Sequence, residues 1–570
     1  MTGKYSKHYP KLLSLGIPIM IGQLGTIIMG IADTVMIGRY GTNELAAAGF
    51  VNNIIGMVLI AGIGFSYGLT PVVGALFGQG HLHLIGGKLK NSLVANALMA
   101  ALLMALMVLL YLCMDHVGLP QHLIPLMRPY LLVLTLSLLP QMMFNAFKQF
   151  FDGIQDTRLP MWVLLVGNVM NIVGNWLLIY GIGPCPEMGL LGAGVATLLS
   201  RTFMWALMAI ILRHSRRYAS HHAHYSQSSV NRSSLRELTR LGLPVMLQMG
   251  MESASFSLSA FYIGWLGGIA LAAHQIVITI SQLCFMLFYG MAAAVAIAVS
   301  YFRGKGRIVD SRNVAFAGLH LTWVMGSLLA LPIFLFRHQV GTWFTSDAEV
   351  ITMVSSVLIP LCVYQYSDAM QCIFANALRG MADVKPMVWI AFIAYFLVSL
   401  PLGYLFGFPC RWGILGVWWA FPFGLTTAGV LYMLRFLHSS RTGLLSLSWK
   451  SLHTSTPTSP PSLESPVRAA WSLVCLPASS SPLSFAMPMP CEASRVSVTS
   501  GFCGISARRM TASLGVPPFV LPVWVATGAW VYGPRAVLSA PTTSACPAYA
   551  SCPLTSTPVR DLSSVWMEPT

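Results

Sequence analysis

Three acidic residues stand inside long apolar stretches of the sequence. They are Asp33 in GIADTVMIG, Glu252 in MLQMGMESASFSLSAFYIG and Asp368 in LCVYQYSDAMQCIFANALRG. A charge at the centre of a bilayer costs about 3 kcal/mol on insertion scales, and acids found there usually face a cavity that carries ions or protons. A carboxylate can ligate Na⁺ through its oxygens or take up and release a proton. The sequence therefore predicts that these three acids couple transport to a cation.

Tyr364 and Gln371 flank Asp368, each about one helical turn away. Residues three or four positions apart share one face of a helix, so this stretch presents a hydroxyl, a carboxylate and an amide together. With Glu252, the oxygens of Asp368 and Tyr364 are candidate ligands for Na⁺. The competing interpretation for each acid is a structural hydrogen bond, or an ion pair with a Lys or Arg at the end of a span.

Three asparagines of GNVMNIVGNWLLIYG, Asn168, Asn171 and Asn175, are spaced by three and four residues and share a helix face. Amides in this pattern either line a wet cavity or lock helices together by hydrogen bonds. Pro18 stands between two glycines of the first apolar run and predicts a kink, which serves either as a hinge or only for packing. Further candidates for lining a substrate cleft, each of which also suits packing or lipid contact, are Gln275, Phe144, Phe147, Phe261, Phe285 and Tyr289.

The composition indicates which elements must position these residues. The 570 residues are 56% hydrophobic and only 9% charged, with a mean hydropathy of +0.70. A soluble globular chain has about 25% charged residues, so this composition predicts an all-α polytopic membrane protein. About twelve apolar runs are long enough to span a bilayer, at 12–38, 50–78, 90–114, 124–150, 160–184, 189–213, 241–266, 272–302, 313–337, 351–379, 387–408 and 414–437.

The net charge of +16 does not indicate a nucleic-acid partner, because the basic residues fall in short loops between apolar runs. Basic loops face the cytoplasm, so the pattern places both termini there. We expect a multi-pass protein of the inner or plasma membrane that is a monomer in the lipid bilayer. The candidate cytoplasmic loops carry Lys88, Lys90, Arg158, Arg213, Arg216, Arg217, Arg303, Lys305, Arg307, Arg312, Arg379 and Lys385, whereas Arg39, Arg337 and Arg411 lie on the other side.

The two halves of the chain repeat. GIPIMIGQLG at 16–25 aligns with GLPVMLQMGM at 242–251, and ELAAAGFV at 44–51 aligns with ALAAHQIV at 270–277. Both alignments have an offset of 226 residues, and an even number of spans gives the two copies the same orientation. We therefore expect two pseudo-symmetric six-helix lobes around a central cleft. The three acids are not duplicated, since Asp33 aligns with Ser259 and Glu252 with Thr26.

The predicted organisation is a first lobe at 1–213, a cytoplasmic inter-lobe loop at 214–238, a second lobe at 239–438 and a Ser/Thr/Pro-rich tail at 439–570. The tail is interpreted either as disordered or as translation in a wrong frame, and no function is assigned to it. HHAH in the loop could hold a metal, but without further ligands nearby a solvated linker is the preferred interpretation. The eleven cysteines form no CxxC pair.

No motif of a soluble enzyme is present in the sequence. It lacks a P-loop, a GxSxG and an HExxH sequence, so neither ATP hydrolysis nor another catalytic activity is predicted. Transport would then draw on an ion gradient, with Na⁺ or H⁺ as the coupling ion and no other cofactor.

Several segments resemble the MATE (multidrug and toxic compound extrusion) family, in its NorM-like branch. The resemblance covers about 1–438 and lies in ADTVMIGRYG, FFDGIQDTRLPM, GNVMNIVGNWLLIYG, GAGVATLLSR, ALAAHQIV, YQYSDAMQ and NALRGMADVKPM. It implies two six-helix bundles that form a V-shaped cleft, and cation-coupled export of bulky, often cationic and amphipathic drugs. Family positions for the cation match Asp33, Glu252, Asp368 and Tyr364. Asn175 stands near the position where the DinF-like branch has a second acid.

Two alternatives remain at this stage. A flippase for a lipid-linked oligosaccharide, from the same wider superfamily, would need a cationic cleft for pyrophosphate, whereas the charges inside the spans are acidic. A structural membrane protein without transport activity would not need buried acids.

Overall fold

The computed structural model describes residues 3–116 and 121–454, with side chains over 3–115 and 121–441. The predictions made for the tail beyond 454 lie outside the described residues. Within the described residues the protein is helical throughout. The twelve long helices are α1 Tyr9–Tyr40, α2 Thr42–Gln79, α3 Leu82–Cys113, α4 Ile124–Gly153, α5 Arg158–Tyr180, α6 Gly189–His214, α7 Arg232–Trp265, α8 Gly268–Gly304, α9 Ile308–Leu335, α10 Ala348–Gly380, α11 Lys385–Gly407 and α12 Gly413–Thr454.

Three of these helices are irregular. α2 consists of Thr42–Ser66 and Leu69–Gln79, and α4 of Ile124–Leu136 and Leu138–Gly153. α11 contains a π-helical segment, Phe392–Ser399, between its two α-helical ends. Short helical segments outside the twelve are Gly3–Ser6, Met114–His116, Arg216–Tyr218, Ala219–Gln227, Arg337–Val340 and Gly341–Trp343.

Eleven of the twelve long helices are long and apolar enough to cross a membrane. The exception is α7, which has 34 residues but a sequence rich in serine and charged residues. The predicted all-α polytopic fold is confirmed. Several helices start a turn or more before the apolar runs, as α3 does at Leu82 and α7 at Arg232, because hydropathy marks only the ~20 residues in the hydrocarbon layer.

Side-chain caps mark the start of two helices that matter for the site. The carboxylate of Asp347 accepts hydrogen bonds from the backbone N–H groups of Glu349 (2.9 Å) and Val350 (3.3 Å) at the start of α10. The amide oxygen of Asn231 accepts one from Ser233 N (2.9 Å) at the start of α7. Both caps satisfy N–H groups that have no partner inside the helix.

The lobes, α1–α6 and α7–α12, meet where α1 packs on α8 and α2 packs on α7 and α8. Glycines allow this contact: a Cβ at Gly68 would lie 2.9 Å from the backbone N of Gly242, and one at Gly304 would overlap the carbonyl oxygen of Ala75. We call this region, which includes the end of α2, the start of α7 and the end of α8, the linker end. Away from it, Ile28 and Ile31 of α1 are exposed.

The inter-lobe segment packs against the first lobe. Its helix Ala219–Gln227 lies against α3, where a Cβ at Gly86 would come within 2.5 Å of the backbone N of Tyr225. Lys90 Nζ donates to the carbonyl oxygen of Ser228 (2.7 Å), and Lys88 Nζ pairs with Glu237 Oε2 (2.7 Å). The sequence 215–231 therefore has defined contacts between α6 and α7.

Candidate functional site

Glu252 on α7 is the centre of a polar cluster within the second lobe. Its carboxylate accepts a hydrogen bond from Gln248 Nε2 (2.9 Å), one turn earlier on α7. Gln371 Nε2 of α10 approaches both carboxylate oxygens at 3.4 Å and donates to the hydroxyl oxygen of Tyr395 of α11 at 3.0 Å. Three helices therefore surround this carboxylate with neutral hydrogen-bonding groups.

Asp368 lies in the same cluster and is 1% exposed. Its Oδ1 accepts a weak hydrogen bond from the thiol of Cys372 (3.8 Å), and its charge is within interaction range of Glu252. Among the described residues, Asp368 Oδ2 and Gln371 Oε1 are buried oxygens without a hydrogen-bond partner. The structure thus brings the two predicted acids of the second lobe into one cluster between α7 and α10, with two oxygens that accept no hydrogen bond from the described residues.

Tyr364 is buried one turn before Asp368, among aromatic rings. Its ring centroid lies 6.4 Å from that of Phe256 and 6.3 Å from those of Trp418 and Phe421, in edge-to-face arrangements. In this position its hydroxyl is within electrostatic range of Asp368. The apolar rings also keep water from the acids on that side.

Of the two competing interpretations, a structural hydrogen bond is present at each of the three predicted acids, whereas an ion pair with a Lys or Arg is present at none of them among the described residues. The ion pairs among the described residues involve Asp115, Asp152, Asp156, Asp310, Asp383 and Glu237, and include none of the three predicted acids. The described residues also contain no group of three or more His, Cys, Asp or Glu arranged to hold a metal ion. A cation at Glu252 and Asp368 would therefore depend on amide and hydroxyl oxygens as well as on the two carboxylates.

Asp33 on α1 lies in a separate cluster within the first lobe. Its Oδ1 accepts a hydrogen bond from Asn175 Nδ2 of α5. Asn175 Nδ2 also approaches Asn171 Oδ1 (3.4 Å), and Asn171 Nδ2 donates to Thr197 Oγ1 of α6 (3.2 Å). The guanidinium of Arg201 acts on Asp33 electrostatically but is bonded to another side chain, Ser137 Oγ, at 2.7 Å. Two of the three predicted asparagines therefore belong to this network.

The remaining candidates are spread over several regions. Asn168 is buried, with its amide nitrogen unpaired among the described residues and facing Gly25 of α1. Tyr289 donates to Tyr67 across the lobes, and Phe285 stacks on Tyr289 with centroids 5.7 Å apart. Pro18 is buried inside α1. Phe144 and Phe147 are buried in the hydrophobic core of the first lobe, whereas Gln275 of α8 and Phe261 of α7 are partly buried.

The structure also assigns positions that the sequence did not single out. The prediction that Arg379 is a cytoplasmic loop residue is wrong. Arg379 lies in the last turn of α10, is 5% exposed, and donates a hydrogen bond to Gln248 Oε1 at 2.7 Å. Lys148 and Asp152 form a buried ion pair (2.9 Å) on α4. The signal for this pair was an acid and a base four residues apart next to a span of apolar residues.

Comparison with known proteins identifies the family of the chain and solved structures with a similar fold. The sequence model of the MatE family matches residues 18–177 and 244–405. The eukaryotic MATE transporter AtDTX14 superposes with a TM-score of 0.69 at 18% identity, covering 78% of this chain and 99% of that one. VcmN, a MATE transporter of Vibrio cholerae in its bent form, gives 0.69 at 20% identity with the same coverage. A MOP superfamily transporter of Pyrococcus furiosus gives 0.68 at 19%, covering 76% and 96%.

Proposed function

The chain belongs to the MATE family of membrane transporters, and on that basis we propose that it is a secondary active antiporter that exports bulky, cationic and amphipathic drugs. Na⁺ or H⁺ entering the cell drives the exchange. One observation carries the proposal: the buried Asp368 and the partly buried Glu252 share a cluster, and neither carboxylate forms an ion pair with a Lys or Arg among the described residues. Arg379 reaches Glu252 only through the amide of Gln248. Buried carboxylates without a direct ion-pair partner are costly, so such a cluster gains free energy when a cation enters it.

The ligand chemistry of the cluster supports Na⁺ over H⁺. A proton needs only one carboxylate oxygen, whereas Na⁺ is held by several oxygens at once. Asp368 Oδ2 and Gln371 Oε1 are both free of hydrogen bonds among the described residues, and the carboxylate of Glu252 is held next to them by Gln371 Nε2. Proton binding by a carboxylate would not use the amide oxygen of Gln371, whereas Na⁺ could be ligated by it.

Coupling then follows from differential affinity. The cation binds best to the outward-facing conformation, and the drug binds best to the inward-facing one. Each ligand therefore shifts the conformational equilibrium toward the state that it prefers and away from the state that the other ligand prefers. Asp33, with its bonded Asn175, contributes a third acid, in the first lobe, that attracts a cationic substrate. The protein works as a monomer in the inner or plasma membrane with both termini in the cytoplasm.

The NorM-like assignment and the flippase alternative both depend on charges near the cleft. Asn175, rather than a second acid, stands beside Asp33, and this favours the NorM-like branch. The Pyrococcus furiosus relative is reported to have a binding pocket of reverse polarity and a different function. In this chain the buried cations Lys148 and Arg379 are bonded to Asp152 and Gln248, so neither is free to hold a pyrophosphate.

Proteoliposomes that contain the purified protein test the proposal. An inward Na⁺ gradient without a pH difference, and a pH gradient without Na⁺, are imposed separately while ethidium efflux is recorded. We expect the Na⁺ gradient to drive efflux that Asp368→Asn and Glu252→Gln abolish. Efflux driven only by the pH gradient would reassign the coupling ion to H⁺, and no efflux under either gradient would overturn antiport. Movement of a lipid-linked oligosaccharide instead of ethidium would support the flippase.

A further inference from the structure

A small cavity lined by both polar and apolar residues lies between the lobes at the linker end. Its volume is about 20 Å³, enough for one water molecule. Both lobes line it at equivalent positions of the repeat, with an offset of 226 residues between α2 and α8 and of 227 between α4 and α10. The lining residues are Tyr67, Thr70, Pro71, Gln149 and Asp152 from the first lobe, and Ala293, Ala296, Ile297, Asn376 and Arg379 from the second. The cavity therefore lies on the pseudo-two-fold axis.

Asp152 and Arg379 occupy equivalent positions in this cavity but have opposite charges. Both are buried, with 2% and 5% of their surface exposed. One oxygen of Asp152 pairs with Lys148 Nζ at 2.9 Å, but the other, Oδ1, has no partner within the part of the chain that the structure describes, and neither does Arg379 Nε. An unpaired buried donor or acceptor costs roughly 1–3 kcal/mol. A water bound in this cavity that accepted from Arg379 Nε and donated to Asp152 Oδ1 would satisfy both groups and join the lobes.

Arg379 also contacts the first lobe directly. Its guanidinium lies over the ring of Tyr67 at 5.2 Å, a distance that favours cation–π attraction. The hydroxyl of Tyr67 is bonded to that of Tyr289 on α8, so the ring under Arg379 is held by the second lobe as well. This arrangement exists only while α2, α8 and α10 are close together at the linker end.

One glutamine joins Arg379 to the proposed cation site. Gln248 Oε1 accepts a hydrogen bond from Arg379 Nη2 (2.7 Å), and Gln248 Nε2 donates to Glu252 Oε2 (2.9 Å). An anionic Glu252 fixes the orientation of this amide, which presents its oxygen to the guanidinium. The charges at the two ends strengthen both bonds, because they polarise the amide in the same direction.

We propose that Asp152, Arg379 and a bridging water form an inter-lobe seal that keeps the linker end closed, and that Gln248 links this seal to the charge on Glu252. The link rests on the proposed role of Glu252 as a cation ligand. A cation bound at Glu252 weakens the bond from Gln248, and Arg379 then loses the support that holds it over the cavity. The seal loosens, and the lobes separate at the linker end.

Hydrogen exchange of the purified full-length protein, read by mass spectrometry, tests the seal without any transport assay. The reporter peptides cover 64–79 and 296–305, whose backbones are packed together at the linker end. Asp152→Asn and Arg379→Gln each remove a charge from the seal, and we expect about tenfold faster exchange in both peptides. Tyr67→Phe keeps the ring but removes the hydroxyl, so its effect is smaller.

The matched control is Arg435→Gln. It removes an ion pair with Asp383 (2.7 Å) at the same end of the protein but within one lobe, and exchange in the reporter peptides should stay at the wild-type rate. The link through Gln248 is tested by Glu252→Gln, which removes the charge without any cation and should accelerate exchange in the same two peptides. Arg379→Lys, which keeps the charge but lacks Nε, is the second variant if Arg379→Gln does not fold.

Wild-type exchange in monodisperse Asp152→Asn and in an Arg379 variant would overturn the seal. Faster exchange in both of these but not in Glu252→Gln would overturn the link to the cation site and leave the seal standing. Failure of the proposed function has a different signature, which is wild-type protein that transports under neither gradient while the seal variants still exchange faster.

Discussion

Asp33 in the first lobe and Glu252 in the second stand on equivalent helices, α1 and α7, but not at equivalent depths. At the repeat offset Glu252 corresponds to Thr26, so Asp33 lies seven residues, or about 10 Å, farther along its helix. Asp33 stands alone and accepts a hydrogen bond from the amide of Asn175, whereas Glu252 and Asp368 stand together; each site has at least one unpaired buried oxygen, Asn175 Oδ1 in the first and Asp368 Oδ2 in the second. The duplicated scaffold therefore holds one single acid and one pair, and we expect the pair to be the better cation site because two carboxylates can share one ion.

The two lobes share the structure of one helix end, the turn that follows α4 in the first lobe and α10 in the second. Gln155 after α4 and Ala382 after α10 both have positive φ, 65° and 56°, and each is followed by an aspartate. The backbone N–H of each aspartate bonds back to a carbonyl of the preceding helix, Phe151 O at 2.9 Å and Leu378 O at 3.1 Å. The residue with positive φ ends the helix and changes the direction of the chain in both lobes. The repeat thus preserves geometry at the helix ends and varies charge within the spans.

The largest effect that separates the lobes is expected from Asp368→Asn. It removes a buried charge but keeps the shape of the side chain, so cation-driven efflux should fall to the level of protein-free vesicles while the protein stays folded. Ethidium efflux under the coupling gradient measures this loss. Asp347→Asn is the control on the same helix, since Asn caps a helix as well as Asp does and transport should be unchanged. Efflux above half of the wild-type rate in Asp368→Asn would refute the prediction that the second lobe binds the coupling cation through Asp368.

A smaller effect is expected from Asp33→Asn in the first lobe. An amide there can still accept the bond from Asn175, so we expect transport slowed by about tenfold, as for loss of one charged contact, with cation binding intact. The measurement is the rise in Tm caused by the coupling cation, which stabilises a folded protein by about 2.7 kcal/mol at 100 times Kd. Glu252→Gln should lose that rise. Loss of the rise in Asp33→Asn as well would show that both lobes bind the cation together.

The smallest effect concerns the two repeated helix ends, where the lobes should behave alike. Asp156 pairs with Arg217 (3.0 Å), and Asp383 pairs with Arg435 (2.7 Å). Since both pairs are partly exposed, Asp156→Asn and Asp383→Asn should each lower the free energy of unfolding by about 1 kcal/mol, additively, with efflux within about twofold of wild type. Thermal unfolding and efflux of the two single variants and the double variant check this. A loss of efflux in only one of them would break the equivalence of the helix ends.

Much of this architecture was accessible from local sequence patterns. Apolar runs predicted the spanning helices because a helix in lipid satisfies its own backbone hydrogen bonds and needs only a length of apolar side chains. The α7 helix, with Glu252 and many serines, shows the limit of that signal, since it is a long helix with weaker hydropathy. Arg379 shows another limit: a basic residue near the end of an apolar run was taken for a loop residue, but it lies within α10 between the lobes.

The sequence by itself determined the helices, their duplication and the positions of the acids, because each depends on residues close together in the chain. Only the tertiary structure decided which partner each acid has. Asn175 reaches Asp33 across 142 residues, Gln371 reaches Glu252 across 119, and Arg379 reaches Gln248 across 131. Such contacts depend on where helices cross, and the crossings depend on close packing through glycines such as Gly68 and Gly304. No pattern within a single span contains that information.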